Sequence, residues 1–269
     1  MDNFANLSTV VQTLILTLIT CGLTTLGSSM VFFFKNVNQT VISIMLSISA
    51  GVMIASAFFS LLIPAIEQSE KLFGNGFIFP SIGFMVGGIF VVIADIFLEK
   101  MLQKVKKSQK NSKKMRFFEH KRQFLLVSAI TMHNIPEGMC VGVAVASASA
   151  GFEGGILGAV MLAIGIGIQN FPEGASVSLP MRSEGKSRFV SFLWGSLSGI
   201  VEPIFAILAC VFANVSTNIL PLLLAFSSGA MISVACTELI PQSVEQSKNM
   251  TTIFVLVGFV IMMILDLWL

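Results

Sequence analysis

The stretch SAGVMIASAFFSLLIPAIEQS (49–69) returns later in the chain, in altered form, as SSGAMISVACTELIPQSVEQS (227–247). At this fixed offset Gly51 pairs with Gly229, and both stretches end on Glu-Gln-Ser. Each lies in an apolar run long enough to cross a bilayer, which takes about 20 residues. By our count of such runs the two copies are an odd number of crossings apart, so they run in opposite directions. An inverted repeat of this kind is typical of secondary transporters, which bind their substrate near the bilayer midplane.

The composition fits a membrane protein. Of the 269 residues, 55% are hydrophobic and 11% are charged, and the mean hydropathy is +0.89. An ordinary soluble domain has about 25% charged residues, so these few charges cannot cover a soluble surface. The net charge of +2 gives no reason to expect nucleic-acid binding. A disulfide-stapled secreted module is excluded because all four cysteines lie in apolar runs.

Eight apolar segments predict an all-α integral membrane protein with eight transmembrane helices. The segments do not alternate polar and apolar residues, as the strands of a membrane barrel do. We place helices 1 to 8 near residues 9–34, 40–66, 76–101, 122–147, 153–180, 188–213, 218–245 and 250–269. The chain is then a single domain over 1–269, and its parts are inverted repeats at about 9–101 and 188–269, a helix pair at 122–180 and a basic loop at 102–121.

The basic residues predict the orientation in the membrane. Of the 16 Lys and Arg residues, 15 fall in or beside the loops after helices 1, 3, 5 and 7, and Lys71 falls on the other side. Cytoplasmic loops carry the excess of basic residues, so we expect both termini outside and the loop 102–121 in the cytoplasm. We therefore expect a multi-pass protein of the plasma (inner) membrane. The first apolar run has no basic residue before it and so lacks the n-region of a signal peptide.

Helices 4 and 5 carry a shared motif near mid-membrane. HNIPEG (133–138) on helix 4 is followed by QNFPEG (169–174) on helix 5, and Glu202-Pro203 on helix 6 adds a third carboxylate. An ionised carboxylate at that depth costs about 2.5–3.5 kcal/mol on insertion scales. No Lys or Arg lies at that depth in any predicted helix. The carboxylates therefore either carry protons, as in a proton relay, or bind a cation from outside the chain.

The neighbours of the carboxylates favour a metal cation. Residues three and four apart share a helix face, so each motif presents its first residue, its Asn and its Glu together. Each proline removes a backbone donor and frees a carbonyl oxygen. One imidazole with amide and carboxylate oxygens and a thioether suits a borderline divalent metal such as Zn²⁺. The candidate ligands are His133, Asn134, Glu137, Gln169, Asn170, Glu173, Glu202 and Met53.

Polar groups flank this cluster on both sides along the predicted helices. Helix 2 runs outwards and carries Ser60 and Glu67 towards the outer face. Asp95 on helix 3 and Glu238 on helix 7 lie towards the cytoplasm. We expect these four residues to line a transport path, with an outer funnel at Glu67 and an inner funnel at Asp95 and Glu238.

The paired motifs resemble the signature of the ZIP (Zrt/Irt-like) divalent metal transporters. The short loops and the Gln that begins the second motif resemble the bacterial GufA-like branch, and the resemblance covers the whole chain. It implies a 3+2+3 inverted repeat around helices 4 and 5, uptake into the cytoplasm and, often, a homodimer. It implies one metal bound by His133, Glu137, Gln169, Glu173 and Glu202 with Met53 nearby, and another bound by Asn134, Glu137, Asn170, Glu173 and Glu202.

The chain departs from the family pattern in two places. His120 is the only loop histidine, so the histidine-rich cytosolic loop of many family members is absent. Thr237-Glu238 stands where family members often carry His-Glu, which weakens the expected inner exit site.

The sequence as a whole predicts an importer of divalent metals that is not an enzyme. Zinc is the first candidate, and cadmium, iron and manganese are others. The metal is then the substrate and no cofactor is expected, and the partners are the metal ions and the lipid bilayer. Two alternatives stay open, an intramembrane metalloenzyme and a proton-coupled solute carrier. The first is weakened because the sequence has no HExxH motif.

Overall fold

The computed structural model describes residues 2–34, 39–110, 131, 134–151, 155–183, 185–215 and 217–267. Regular secondary structure in these residues is helical throughout. One helical turn, Asp2–Ala5, precedes the long helices. We label the long helices α1 (Thr9–Phe33), α2 (Gln39–Phe73), α3 (Ile78–Lys110), α4 (134–149), α5 (Gly155–Ser183), α6 (Arg188–Val215), α7 (Leu220–Val244) and α8 (Lys248–Leu267).

Among the described residues, seven helices are long and apolar enough to cross a membrane. The prediction of an all-α membrane protein is therefore confirmed. The fourth predicted segment is described only at Thr131 and from residue 134 onwards, where it is helical. The count of eight crossings stays a prediction, because most of 122–133 lies outside the described residues.

Two helices run further than the sequence predicts. α2 continues to Phe73, where Gly74 adopts a φ of 62°, the left-handed conformation that commonly ends helices. α3 continues to Lys110, so 102–110 of the predicted loop are helical. This extension is rich in Lys and Gln, which favour helices, and contains neither Gly nor Pro. The rest of the predicted basic loop, 111–121, lies outside the described residues.

α2 and α7 share an unusual local feature. Each contains a π-helical turn, Ala57–Leu62 in α2 and Ala235–Leu239 in α7. The first residues of the two turns are related by the same offset as the repeated sequence. Each turn ends two residues before a proline, whose ring would otherwise clash with the carbonyl group four residues earlier. Widening the turn relieves that clash and re-aims the side chains that follow.

The repeat predicts three pairs of corresponding helices, α1 with α6, α2 with α7 and α3 with α8. The two helices of each pair are buried to a similar extent. In the most apolar stretch of each helix, 61% of the residues are buried in both α2 and α7, 39% in both α1 and α6, and 18% and 17% in α3 and α8. α2 and α7 therefore lie at the centre, while α3 and α8 lie at the edge and expose large apolar side chains, as lipid contact requires. This agreement supports the predicted inverted repeat.

Glycines set the closest helix contacts of this arrangement. A Cβ atom on Gly87 of α3 or Gly229 of α7 would lie 1.9 or 2.0 Å from a backbone carbonyl oxygen of the facing helix. The same holds at 2.0 and 2.1 Å for Gly51 of α2 and Gly258 of α8. Glycine is needed at these four positions because any side chain would separate the α3–α7 and α2–α8 pairs.

Candidate metal centre

The two N-x-P-E-G motifs lie side by side in the buried interior. Asn134 and Glu137 are on α4, and Gln169, Asn170 and Glu173 are on α5. All five side chains are at most 6% exposed. Because each motif places its polar residues three or four apart, each helix presents them on a single face. His133, the remaining motif residue among the predicted ligands, lies outside the described residues.

Hydrogen bonds join the amides of these motifs to the carboxylates. Gln169 Nε2 donates to Glu137 Oε1 at 2.6 Å, which joins α5 to α4. Asn170 Nδ2 donates to Glu202 Oε2 at 2.8 Å, and Asn134 Nδ2 donates to Glu202 Oε1 at 3.2 Å. The NH₂ group of each of the three amides therefore donates to a carboxylate. Glu137 is also close enough to Glu173 and Glu202 for the charges of the three carboxylates to interact.

Glu202 has two further partners on α1 that the sequence analysis missed. Thr20 Oγ1 donates to Glu202 Oε2 at 2.5 Å, and Thr24 Oγ1 donates to Glu202 Oε1 at 3.2 Å. Both threonines and Glu202 are fully buried. One signal was present in the sequence, because the offset of the repeat relates Thr24 to Glu202.

Five buried oxygen atoms at this centre accept no hydrogen bond. They are Asn134 Oδ1, Glu137 Oε2, Gln169 Oε1, Asn170 Oδ1 and Glu173 Oε1. A buried oxygen without a partner costs about 1–3 kcal/mol, and more when it is charged. Five such atoms on predicted ligands fit a group that binds oxygen, and a divalent cation is such a group.

Glycine brings these elements close together. A Cβ atom on Gly138 would lie 2.3 Å from the backbone oxygen of Glu202, and one on Gly174 would lie 2.0 Å from the backbone oxygen of Thr24. The final Gly of each motif therefore lets α4 pack directly on α6, and α5 directly on α1. This contact places the carboxylate of Glu202 beside both motifs.

Met53, the predicted sulfur ligand, is fully buried on α2. One turn earlier, Ser49 Oγ donates to the carbonyl oxygen of Gln169 at 3.2 Å, which places α2 alongside the second motif. Within the described part of the chain, no group of three His, Cys, Asp or Glu residues is arranged to hold a metal. The predicted donor set depends instead on three amides and on His133, which lies outside that part.

A family comparison decides what kind of protein carries this centre. The model of the family described as "ZIP Zinc transporter" matches the chain over residues 6–121 and 114–266. The chain belongs to the ZIP family. The resemblance drawn from the paired motifs is confirmed.

Individual ZIP proteins match over most of the chain. Zinc transporter ZIP11 of Xenopus tropicalis is 32% identical over 96% of this chain and 97% of that protein. Zinc transporter ZIP11 of Homo sapiens is also 32% identical, with the same coverage. Zinc transporter GufA of Myxococcus xanthus is 32% identical over 78% of this chain and 80% of that protein. The match to GufA agrees with the predicted branch of the ZIP family.

In this ZIP chain, two of the predicted path residues line one cavity. Ser60 and Glu67 of α2 face a cavity of about 260 Å³ that α4, α5, α7 and α8 complete. Asp266 of α8 lies in the same cavity and accepts hydrogen bonds from Ser60 Oγ at 2.8 and 3.0 Å. The sequence analysis missed Asp266, although it is the only charged residue of the last apolar segment.

The other two predicted path residues lie at different places. Asp95 of α3 lines a small cavity beside Pro136 of the first motif and Val234 of α7. Glu238, one turn further along α7, is half-buried and accepts a hydrogen bond from Gln242 Nε2 at 3.0 Å. Asp95 is therefore adjacent to α4, the helix of the first motif. Glu238 lies one turn beyond Val234 on α7.

Proposed function

We propose that the protein takes up divalent metal ions, zinc foremost, across the plasma (inner) membrane into the cytoplasm through the buried centre. The observation that carries this proposal is the set of five unpartnered oxygens on α4 and α5. Carboxylate and amide oxygens, with the imidazole of His133 and the thioether of Met53, form a mixed donor set that suits Zn²⁺ or Cd²⁺. Such a set lacks thiolates, so it binds less tightly than a structural zinc site and permits release.

The centre has enough candidate ligands to bind two metal ions. We assign one to His133, Glu137, Gln169, Glu173 and Glu202 with Met53, and the other to Asn134, Glu137, Asn170, Glu173 and Glu202. Glu137, Glu173 and Glu202 are shared by both sets. The unpartnered oxygens of Glu137 and Glu173 support a bridging role for these two residues.

The cavity containing Ser60, Glu67 and Asp266 is the proposed outer mouth. Two carboxylates there attract cations from solution, because like charges lining a cleft focus the electric field. Ala144 lines this cavity on α4, seven residues from Glu137, so the cavity floor is about 10 Å from the centre along that helix. Asp95 and Glu238 are the proposed exit groups. The orientation, with both termini outside, follows from the distribution of basic residues.

The relatives favour transport over the two alternatives. ZIP11 and GufA are named zinc transporters, and none of the relatives compared is named as an enzyme. A proton-coupled solute carrier would need groups that recognise an organic solute. The centre instead has carboxylate and amide oxygens on residues three or four apart, which lie on one face of each motif helix. We also propose that the protein forms homodimers, as ZIP proteins often do.

The test is metal uptake into proteoliposomes that contain the purified protein, measured for zinc, cadmium, iron and manganese. Glu137→Ala or Glu173→Ala is expected to abolish uptake, because each substitution removes an oxygen ligand of both ions. Glu245→Ala is the matched control, since this carboxylate is exposed at the end of α7. Uptake by folded, monodisperse Glu137→Ala and Glu173→Ala protein at the wild-type rate would refute the metal centre.

A further inference from the structure

We propose that Cys140 and Met231 form a sulfur site for a soft monovalent cation such as Cu⁺, placed between the outer cavity and the buried centre. The inference goes beyond the proposed function, because the ligand sets of the divalent centre contain neither residue. A soft ion held at this pair would not reach the centre and would block the passage of zinc.

The two sulfur atoms meet across the contact between α4 and α7. Cys140 on α4 and Met231 on α7 are both fully buried. Sγ of Cys140 donates to Sδ of Met231 at 3.1 Å. A thiol that donates to a thioether has its proton between the two sulfur atoms, and a two-coordinate cation can take the place of that proton.

The sulfur pair lies between the outer cavity and the oxygen-rich centre. On α4, Cys140 comes three residues after Glu137 and four before Ala144, which lines the outer cavity. Residues at this spacing share a helix face, and Glu137 is close enough for its charge to act on the thiol. On α7, Leu224 lines the same cavity seven residues before Met231. An ion that moves along α4 from the cavity to Glu137 therefore passes the pair.

The chemistry of the pair favours a soft monovalent ion. Thiolate and thioether sulfurs select soft cations, Cu⁺ among them. A closed Zn²⁺ site has four ligands, and this pair supplies two. One thiolate and a monovalent ion form a neutral unit, whereas a divalent ion would leave a positive charge on the pair, which is costly inside a membrane.

Binding exchanges a proton for a metal ion. The S–H bond of Cys140 breaks, an S–Cu bond forms, the proton leaves to water and copper stays in the +1 state. Met231 forms the second bond through a lone pair of its thioether. Metal–sulfur bonds of about 2.3 Å, as for zinc, put the sulfurs up to about 4.6 Å apart, so Sδ of Met231 must move by up to about 1.5 Å from its present 3.1 Å. The three rotatable bonds of a methionine side chain allow this movement.

The repeat gives independent support for a role of Met231 in metal binding. Its offset relates Met231 to Met53, the proposed sulfur ligand of the divalent centre. Both methionines are fully buried, on the central helices α7 and α2. Each repeat therefore contributes one buried thioether at the same position, and Cys140 adds a thiol to the second.

The experiment measures binding of Ag⁺, a redox-inert analogue of Cu⁺, by isothermal titration calorimetry in a buffer without chloride. The purified full-length protein carries Cys21→Ala, Cys210→Ala and Cys236→Ala, so that Cys140 is its only thiol. We expect this single-cysteine protein to bind one Ag⁺ tightly and to lose that binding on Cys140→Ala, with Cys140→Ser as the substitute if Cys140→Ala does not fold.

A matched pair of methionine variants tests the second ligand. Loss of a group that only orients a metal ligand weakens binding by about 10- to 100-fold, so we expect Met231→Leu, which removes a ligand, to weaken Ag⁺ binding at least tenfold. Met262→Leu is the control, because Met262 is equally buried but lies on α8, and it should leave the affinity unchanged. Wild-type silver affinity in Met231→Leu, or tight binding that survives loss of the Cys140 thiol, would overturn the sulfur site.

Cadmium separates the sulfur site from the divalent centre. Cys140→Ala is expected to leave cadmium affinity unchanged, because all the proposed ligands of that centre are still present. An equal loss of cadmium and silver binding would place Cys140 in the divalent centre and overturn a separate site.

Zinc uptake tests the block. Ag⁺ should inhibit zinc uptake by the single-cysteine protein, and Met231→Leu should relieve that inhibition. Silver that binds at the pair without slowing zinc uptake would overturn the block. Failure of the proposed function is a different result, in which wild-type protein takes up no divalent metal while the silver titration is unaffected.

Discussion

Replacing Gly138 by alanine should damage the metal centre through the backbone while leaving every ligand in the chain. The added Cβ atom would lie 2.3 Å from the backbone oxygen of Glu202 and 2.7 Å from its Cα atom. Ordinary contacts of a Cβ atom begin at 3.4 Å, so α4 and α6 must separate by about 1.1 Å, the difference between the two distances. Overpacking of this kind costs about 1–3 kcal/mol of stability.

The same displacement acts on the hydrogen bond between Asn134 Nδ2 and Glu202 Oε1. This bond is 3.2 Å long, and a separation of about 1 Å along it takes the two atoms beyond hydrogen-bonding distance. Asn134 is then no longer held with its oxygen available. We expect cadmium affinity to fall about 10- to 100-fold, as for other losses of a group that orients a ligand.

Two other glycines supply the controls. Gly22→Ala adds a Cβ atom with no neighbour within 4 Å and should leave both stability and affinity intact. Gly87→Ala creates an equally severe clash, 1.9 Å from the backbone oxygen of Phe226, but at the α3–α7 contact. It should lower the melting temperature while the folded fraction binds cadmium normally. Wild-type cadmium affinity in Gly138→Ala, or an equal loss in Gly87→Ala, would refute the reasoning.

Three further outcomes are expected. His133→Ala should change one bound ion more than the other in a cadmium-soaked crystal, since His133 belongs to one of the two proposed ligand sets; two fully occupied sites with unchanged ligands would contradict this. A cysteine introduced at Ser108 should be shielded from impermeant thiol reagents in intact cells, and labelling from outside would reverse the orientation. Glu67→Ala should slow uptake at low metal concentration and be largely rescued at high concentration, and its effect should shrink as added salt screens charges beyond about 8 Å. A lower maximal rate with unchanged half-saturation would instead assign Glu67 to gating or packing.

The candidate ligands could be found from the sequence because charges in a membrane are expensive. A carboxylate or amide within an apolar helix needs a partner, and the repeated N-x-P-E-G pattern identified Glu137 and Glu173 before any fold was known. Their burial and unpartnered oxygens match the environment that this reasoning expected. Helix positions were predictable for a related reason, since the length of an apolar run is set by the thickness of the bilayer.

The threonines and Asp266 could not be found in the same way. A threonine in an apolar helix ordinarily bonds to a carbonyl of its own helix, as Thr17 does, so its neighbours in the sequence do not reveal a partner on another helix. Only the offset of the repeat, which relates Thr24 to Glu202, pointed to one of the two threonines. Thr20 and Thr24 reach Glu202 only because glycine contacts bring α1, α4, α5 and α6 together. A lone acid near the end of a helix, such as Asp266, is an ordinary surface feature until the fold places it in a cavity with Ser60.

The centre is close to symmetric, and we expect its departure from symmetry to favour release of the metal. Gly138 packs on the backbone of Glu202, and Gly174 packs on the backbone of Thr24; the offset of the repeat relates Thr24 to Glu202. A second glutamate in place of Thr24 would add a fourth carboxylate, and affinity for a divalent cation rises with the number of charged ligands. The threonine instead is neutral and donates a hydrogen bond to Glu202. In the proposed mechanism the centre then has three charged ligands, Glu137, Glu173 and Glu202, and not four, which keeps binding weak enough for the ion to leave, as a transport site requires.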